Sequence, residues 1–333
     1  MTFHAPAHVL SGSGYELHEV PCHTRARINP QYPQIYEDNA AWLRTFLPFP
    51  DSAAEQRVLE CRYPLWDAMV LPDGAARRVL HASCVTSLMF EVDDAALVEH
   101  ALVADVTGNR VADHPYGAAF ADIFGSLRRE MPERVYHRYR RSWMDWFASV
   151  SQENRFRGTM TAPDLEGYLR VRRTSVGLLP TVVTAEYVLG LDLTEQLAAD
   201  PDLRRAGVLA VEHAMYVNDL YSFRGESFKG DYFNAVSVLR RAHGLNLQEA
   251  VDEIGGRIGE ADTALAELSG LLRSRYPDPA LHAYLDQVNA LCSGNLRWSM
   301  ETTRYNGRGN TWNGLRSGRV TLHTDRTTIS TVT

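Results

Sequence analysis

Three oxygen-bearing side chains recur at one-turn spacing in an apolar stretch of the sequence. These are Asn218, Ser222 and Glu226. At about 100° per residue, an α-helix places them at about 0°, 40° and 80° around its axis, so all three share one face. An amide oxygen, a hydroxyl and a carboxylate form an incomplete set of hard ligands, which suits a Mg²⁺ ion that also binds water and phosphate. The same pattern also fits a solvated helix face with a capping residue, so its meaning depends on the rest of the chain.

A second acidic cluster, Asp93 and Asp94, follows a stretch with almost no polar face, Cys84 to Phe90. Such a stretch predicts a helix buried on most sides, and carboxylates at its end are costly unless they are paired, protonated or metal-bound. Two acidic helix faces with arginines nearby suit a diphosphate bound between divalent cations, because Mg²⁺ neutralises its charge and Arg contacts its oxygens in pairs. The arginines available for such a site are Arg170, Arg172, Arg173 and Arg304.

Composition excludes several other classes of function. Of the 333 residues, 45% are hydrophobic and 23% charged, and the net charge is −7, which argues against nucleic acid or an anionic membrane as a partner. We expect no stable membrane insertion, because no stretch approaches 18 uninterrupted apolar residues, and the first residues lack the pattern of a signal peptide. The four cysteines show no CxxC spacing, so neither a zinc site nor a disulfide framework is indicated. A cytoplasmic, reduced protein is therefore predicted.

The spacing of apolar residues predicts an all-α fold in a single domain, with no strand and no internal repeat. We expect residues 1–30 to form a leader or cap and residues 31–305 the helical domain. Residues 306–333, rich in Gly, Thr, Asn and Arg, are expected to be a flexible tail or lid. Pro64, Pro72 and Gly74 predict a connection. The predicted helices cover about 32–47, a segment ending near 62, 75–92, 114–130, 132–153, 164–173, a segment ending near 189, 194–199, 203–224, 246–276 and 280–305.

Taken together, the motifs resemble those of the bacterial class I terpene synthases over nearly the whole chain. They occur in the family's order and are listed here as they stand: Asn29-Pro30, Trp42-Leu43, Asp93-Asp94, Arg172-Arg173-Thr174-Ser175-Val176-Gly177, the complete N-D-x-x-S-x-x-x-E from Asn218 to Glu226, and Arg304-Tyr305. The resemblance implies a helical bundle around a central apolar cavity. It also implies Mg²⁺-dependent ionisation of a linear prenyl diphosphate, followed by cyclisation of the carbocation.

The resemblance also implies roles for individual residues. Asp93 would bridge two Mg²⁺ ions with support from Asp94, and Asn218, Ser222 and Glu226 would hold a third ion. Arg173 would sense the diphosphate, and Gly177 would break a helix and turn its carbonyl towards the substrate. Arg304 and Tyr305 would donate hydrogen bonds to the diphosphate. The further residues expected to contact substrate are Ser87, Met89, Phe90, Trp298 and Lys229, with Arg224 as the alternative to Lys229.

Other polar residues are assigned structural roles. The acid that usually follows the aspartate pair is missing, and Glu99, at about 240° from Asp93, is expected to point away from the site. Arg170 and Arg172 are expected to be surface charges, because alternate positions on a helix do not share a face. The histidines His81, His100 and His213 are expected to be structural, and the aromatic stripe from Tyr136 to Phe147 is expected to be core.

The chain length of the substrate and two alternative functions remain to be considered. Ser87, six residues before Asp93, would enlarge the cavity floor, which favours geranylgeranyl diphosphate over farnesyl diphosphate. Phe90 would stabilise the carbocation through its ring face. A chain-elongating prenyltransferase on the same fold and a non-catalytic prenyl diphosphate-binding protein are the alternatives, and the oligomeric state, a homodimer included, is left open.

Overall fold

The computed structural model describes residues 11–94, 115–159 and 164–331, with side chains in the second range described as far as Phe156. The described chain is a bundle of α-helices with one small sheet, so the predicted fold class is confirmed. The helices are α1 Tyr32–Phe46, α2 Ser52–Cys61, α3 Tyr63–Val70, α4 Ala76–Asp94, α5 Gly117–Glu130, α6 Glu133–Thr159, α7 Leu165–Ser175, α8 Leu179–Leu189, α9 Thr194–Ala199, α10 Pro201–Lys229, α11 Ala235–Ala242, α12 Leu247–Arg275, α13 Pro279–Glu301 and α14 Thr303–Asn306.

Several helix starts are set by a short polar residue that caps the first backbone N–H groups. Asn246 and Glu249 form a reciprocal capping box at the start of α12, as their spacing predicts. Asp164 accepts a hydrogen bond from the N–H of Gly167 and caps α7. The other side chains that cap in this way are Asp51, Asp200, Asn234 and Asp278.

Three helical features differ from the sequence prediction. The predicted connection after Arg62 contains α3, because Pro64 occupies the first turn of a helix, where its missing N–H costs nothing. The short helix α11 was not predicted. The last long helix ends at Glu301 rather than at 305, and Thr302 starts a separate turn by accepting a hydrogen bond from the N–H of Arg304.

A three-stranded antiparallel sheet joins the two ends of the described chain. β1 (Gly14–Leu17) pairs with β2 (Gly318–Leu322), which pairs with β3 (Thr327–Ser330). The prediction of no strand was wrong here, because strands of four and five residues are too short to show a clear alternation. The flexibility of the tail and the domain boundaries stay predictions.

Helix α10 lies at the centre of the bundle. It packs against α12 and α13, and α13 in turn packs against α3. None of the described helices is long and apolar enough to cross a membrane. All four cysteines carry free thiols.

One buried ion pair joins α6 to α8. Arg138 donates two hydrogen bonds, of 2.8 and 2.6 Å, to the carboxylate of Glu186, whose side chain is 1% exposed. The same carboxylate accepts the backbone N–H of Leu193 at 2.8 Å. Removing the arginine would leave a buried, uncompensated charge.

We therefore expect Arg138→Met to lower the free energy of unfolding by about 3 kcal/mol, measured by urea denaturation with an unchanged m-value. Adding Glu186→Gln should recover part of that loss, because a neutral amide still accepts from Leu193. Arg134→Met is the matched control: Arg134 pairs with Glu195 at 3.0 Å on the surface, so the loss should stay below about 1 kcal/mol. Equal losses of unfolding free energy in Arg138→Met and Arg134→Met would contradict the conclusion that the Arg138–Glu186 pair is the buried, stabilising one.

Candidate functional site

One cavity of about 150 Å³ collects most of the residues that the sequence singles out. Its lining combines acidic and amide oxygens, guanidinium groups and aromatic rings, so a charged region and an apolar region share one space. The lining residues are Trp66, Thr86, Met89, Phe90, Asp93, Trp143, Trp146, Glu153, Arg172, Ser175, Val176, Gly177, Leu178, Thr181, Asn218, Ser222, Glu226, Asn295, Trp298, Arg304 and Tyr305.

Helix α4 contributes a single stripe to this cavity. Thr86, Met89, Phe90 and Asp93 follow the i, i+3, i+4, i+7 spacing of one helix face, and all four line the cavity. Asp93 therefore lies on the same cavity as the three oxygen-bearing residues of α10, as the metal hypothesis requires. Met89 and Phe90, which the sequence analysis expects to contact substrate, both line the cavity.

Asp94, beside this stripe, is held by Arg304. The guanidinium donates two hydrogen bonds, of 2.7 and 2.8 Å, to the Asp94 carboxylate and one of 3.2 Å to the Tyr63 hydroxyl. It also lies over the ring of Phe90, 4.5 Å from the centroid. Burial would raise the pKa of Asp94, but the positive charges of Arg304 and, to a smaller extent, Lys229 lower it. The pKa is therefore below its usual value. The last helix of the bundle is thereby tied to the end of α4.

The opposite acidic face is on α10, where Asn218, Ser222 and Glu226 all line the cavity. The amide of Asn218 is oriented from two sides, because its Oδ1 accepts from Arg172 at 2.6 Å and its Nδ2 donates to the Tyr305 hydroxyl at 2.5 Å. The helix predicted from the spacing of these residues is confirmed.

The neighbouring Asp219 points away from the cavity and anchors the helix. Its buried carboxylate accepts hydrogen bonds from the hydroxyl of Tyr168, from Nε of Arg172 at 3.0 Å and from the N–H of Ala235 at 3.1 Å. These donors come from α7 and from the start of α11. Asp219 therefore links α10 to α7 and to the start of α11.

The two adjacent arginines of α7 exchange the roles that the sequence suggested. Arg172, predicted to be a surface charge, is buried, lines the cavity and contacts Asn218 and Asp219. Arg173, predicted to sense the diphosphate, does not line the cavity: it is 45% exposed and pairs with Glu212 at 2.9 Å. The residues lie about 100° apart on the helix, and only the packing of α7 against α10 decides which faces inward.

Gly177 lies at a helix break, as predicted. α7 ends at Ser175 and α8 begins at Leu179, and Gly177 between them has a φ of +77°, a conformation that favours glycine. The indole of Trp146 donates to the Ser175 carbonyl at 2.9 Å, and a Cβ on Gly177 would lie 3.2 Å from its Nε1. A side chain at this position would therefore crowd Trp146 as well as strain the backbone.

Aromatic rings form the apolar part of the lining. Trp143 and Trp146, predicted to be core, are buried and also face the cavity, in edge-to-face contact at 5.4 Å. Trp298 contacts Phe90 at 6.0 Å and Tyr305 at 5.4 Å between ring centroids. Trp298, which the sequence analysis expects to contact substrate, also lines the cavity.

Besides Arg173 and Asp94, three other residues expected at the site lie outside the lining. Ser87 is fully buried against α1, where its hydroxyl donates to Asn39 at 3.4 Å, so it does not form the cavity floor. Lys229 is exposed at the end of α10. Arg224 faces the terminal segment instead and donates to Thr327 at 3.0 Å and to the carbonyl of Tyr305 at 3.0 Å.

Asn234 is a site residue that motif reasoning did not identify. Its amide nitrogen donates to Glu226 at 2.8 Å, to Ser222 at 3.4 Å and to the carbonyl of Asp219 at 2.7 Å. Its Oδ1 caps α11 by accepting from the N–H of Val236. An Asn before the apolar run that starts at Ala235 could have predicted a helix cap, but not the contact with α10.

The oxygen set on α10 fits a divalent cation. Loss of water contact raises the pKa of Glu226 to about 7; Arg172 opposes the shift, and Asp219 and Asp231 add to it. A cation next to this carboxylate would compensate the charge that burial destabilises. Asn218 and Ser222 add neutral oxygen ligands on the same face, so hard cations such as Mg²⁺ suit the set.

The remaining sequence assignments concern histidines and Glu99. Nδ1 of His81 forms a hydrogen bond of 2.8 Å with the Tyr187 hydroxyl. Nε2 of His213 donates to the carbonyl of Pro21 at 3.0 Å, so both histidines have structural partners. Glu99 and His100 lie outside the described residues.

Comparison with known families and proteins gives a consistent result. The model of terpene synthase family 2, C-terminal metal binding, matches residues 90–261, which include Asp93 and the whole motif from Asn218 to Glu226. The (E)-2-epi-beta-caryophyllene synthase of Selaginella moellendorffii is 28% identical over 317 residues, which cover 89% of this chain and 86% of the relative. Sesquiterpene synthase Agr1 of Cyclocybe aegerita is 25% identical over 304 residues, 86% of each chain.

A solved structure shares the fold. The linalool/nerolidol synthase of Streptomyces clavuligerus, in complex with 2-fluorogeranyl diphosphate, superposes with a TM-score of 0.74 at 20% identity. The match covers 82% of this chain and all of that one, 100%.

The two arginines of α7 offer a matched test of the site. We expect Arg172→Lys to weaken binding of inorganic diphosphate in the presence of Mg²⁺ by at least about 10-fold, because lysine keeps the charge but loses the paired geometry. Arg173→Lys should leave binding within about 2-fold, since Arg173 faces Glu212. Isothermal titration calorimetry measures both, with circular dichroism to check the fold. A larger loss in the Arg173 variant would reverse the assignment.

Proposed function

Since this chain belongs to terpene synthase family 2 and is a class I terpene synthase, we propose that it ionises farnesyl diphosphate and cyclises the carbocation to a sesquiterpene hydrocarbon or alcohol. The observation that supports this most is the shared cavity. One space is lined by Asp93, Asn218, Ser222 and Glu226 and also by a wall of aromatic rings. A diphosphate and a hydrocarbon chain need these two surroundings side by side.

Metal binding is assigned to the two acidic helix faces. The family match implies a divalent metal; we propose Mg²⁺, with three ions as the resemblance implies. Asp93, supported by Asp94, would hold ions on α4, and Asn218, Ser222 and Glu226 would hold an ion on α10. When bound, Mg²⁺ supplies charge neutralisation for the departing diphosphate.

Basic and hydroxyl side chains complete the diphosphate site. Arg172 is held by Asp219 with its guanidinium at the cavity lining, so it can contact a diphosphate without rearranging. Arg304 donates to Asp94, and its guanidinium would transfer to diphosphate oxygens when substrate binds. The Tyr305 hydroxyl accepts from the Asn218 amide, so its own proton would be donated to the diphosphate. Lys229 contributes long-range charge near Asp94.

The aromatic part of the lining would surround the hydrocarbon chain of the substrate. Ring faces of Trp143, Trp146, Phe90 and Trp298 would stabilise a passing carbocation through their quadrupoles. Phe90 lies under the Arg304 guanidinium, so movement of Arg304 towards the diphosphate would expose this ring to the substrate. The rings also keep water away from the cation until the cascade ends.

A C15 substrate is favoured over the C20 substrate suggested by the sequence. The C20 argument depended on Ser87 as part of the cavity floor, and Ser87 contacts Asn39 instead. The relative Agr1 is a sesquiterpene synthase, and sesquiterpenes are C15 compounds. Neither a chain-elongating prenyltransferase nor a non-catalytic binding protein is supported by a specific contact in the site.

We expect purified protein incubated with Mg²⁺ and each of the C10, C15, C20 and C25 diphosphates to form cyclic products mainly from the C15 substrate. Gas chromatography with mass spectrometry of organic extracts identifies them. A predominant C20 product would contradict the proposed chain length. Longer diphosphates would indicate a prenyltransferase, and unchanged substrates a non-catalytic protein.

Two serines of α10 provide a matched pair for the metal assignment. Ser222→Ala should lower turnover by at least about 10-fold, because it removes an oxygen ligand at the cavity. Ser227→Ala should leave turnover within about 2-fold, since Ser227 is buried on the same helix but does not line the cavity. Asn218→Ala and Glu226→Ala should abolish nearly all turnover with the helical circular dichroism retained. Full activity of the Ser222 variant would count against its role.

A further inference from the structure

A second cluster of metal-binding side chains lies where the N-terminal segment meets the bundle. Ligand atoms of Cys22, His213 and Asp262 all lie within 4.8 Å of one another. His213 belongs to α10 and Asp262 to α12, whereas Cys22 lies between β1 and α1. None of the three lines the cavity of the candidate active site. The cluster therefore needs an explanation of its own.

The hydrogen bond of His213 prepares one ring nitrogen as a ligand. Nε2 lies 3.0 Å from the carbonyl oxygen of Pro21, which can only accept, so Nε2 carries the proton. In the neutral ring Nδ1 then holds a lone pair, and this buried atom has no hydrogen-bond partner among the residues that the structure describes. Metal-bound histidines characteristically donate their other N–H to a carbonyl or carboxylate.

The carboxylate of Asp262 is oriented in a similar way. Both the backbone N–H and Nδ1 of His23 donate to Oδ1, at 3.0 and 2.7 Å. The other ring nitrogen of His23 lies 2.8 Å from Oδ1 of Asn289. These contacts fix the carboxylate through one oxygen and leave Oδ2 available as a ligand, which is the arrangement seen around ligating carboxylates.

The ligand types favour zinc. Thiolate, imidazole and carboxylate together suit Zn²⁺, whereas Mg²⁺ prefers oxygen ligands only. Tetrahedral zinc with bonds of about 2.0–2.3 Å places its ligand atoms about 3.5 Å apart, so a contraction of about 1 Å would close the site. The Cys22 thiolate and the Asp262 carboxylate would bring negative charge to the ion, and water would supply the fourth ligand.

We propose that Cys22, His213 and Asp262 bind one Zn²⁺ ion, which fastens the N-terminal segment to α10 and α12. The site is separate from the proposed Mg²⁺ ligands Asp93, Asn218, Ser222 and Glu226. Its role is structural, because an ion that binds only the folded chain stabilises it. The proposal does not depend on the substrate or the reaction of the cavity.

The test uses the full chain, purified without a polyhistidine tag, stripped with a chelator and dialysed against Zn²⁺ in the presence of excess Mg²⁺. We expect about one zinc per chain by elemental analysis and a higher melting temperature with zinc than without it. Co²⁺ in place of zinc should give a thiolate-to-metal charge-transfer absorption. Cys22→Ser should abolish that absorption and lower zinc affinity by at least about 10-fold.

The matched control is Cys84→Ser, a buried thiol of α4 that accepts from Asn39 rather than joining the cluster. It should bind zinc and Co²⁺ as the natural chain does. His213→Gln tests the imidazole, and the half-buried position of Cys22 keeps its variant informative if the His213 variant fails to fold. Less than about 0.1 zinc per chain, or equal binding by the natural chain and Cys22→Ser, would overturn the proposal.

Discussion

The buried carboxylate of Asp219 is the contact on which the candidate active site depends. It accepts hydrogen bonds from Tyr168 and Arg172 on α7 and from the N–H of Ala235 at the start of α11. A buried charge is tolerated only when it is paired and fully hydrogen-bonded, so these three partners have little freedom to leave. The three helices are therefore held in a fixed arrangement, and the α10 face with Asn218, Ser222 and Glu226 is directed to the cavity.

Charge is distributed so that both acidic faces already have cationic or amide partners. Arg172 and Asn234 contact the α10 face, and Arg304 holds Asp94 at the end of α4. These contacts compensate part of the cost of burying carboxylates. The same donors are suited to a diphosphate, because Arg contacts phosphate and carboxylate oxygens with the same geometry. In the proposed reaction, these donors would exchange carboxylate and amide partners for diphosphate oxygens.

The two ends of the described chain pack on the same central helix. Arg224, two residues beyond Ser222, donates to Thr327, to the carbonyl of Thr324 and to the carbonyl of Tyr305. On the N-terminal side, the carbonyl of Pro21 accepts from His213 of the same helix. Helix α10 therefore contacts the cavity, the segment that contains β3 and the N-terminal segment. Residues on its different faces accordingly have different partners.

The sequence by itself determined the helical class, the shared α10 face of Asn218, Ser222 and Glu226, and the acidic pair that ends α4, because one-turn spacing and apolar runs depend only on local geometry. It also located the helix break at Gly177. Tertiary packing alone decided that Arg172 and not Arg173 faces the cavity, that Ser87 contacts Asn39, and that the ends form a sheet. These outcomes depend on which face of each element meets its neighbour. The grouping of Cys22, His213 and Asp262 is of the same kind, since no local spacing relates residues that only the fold brings together.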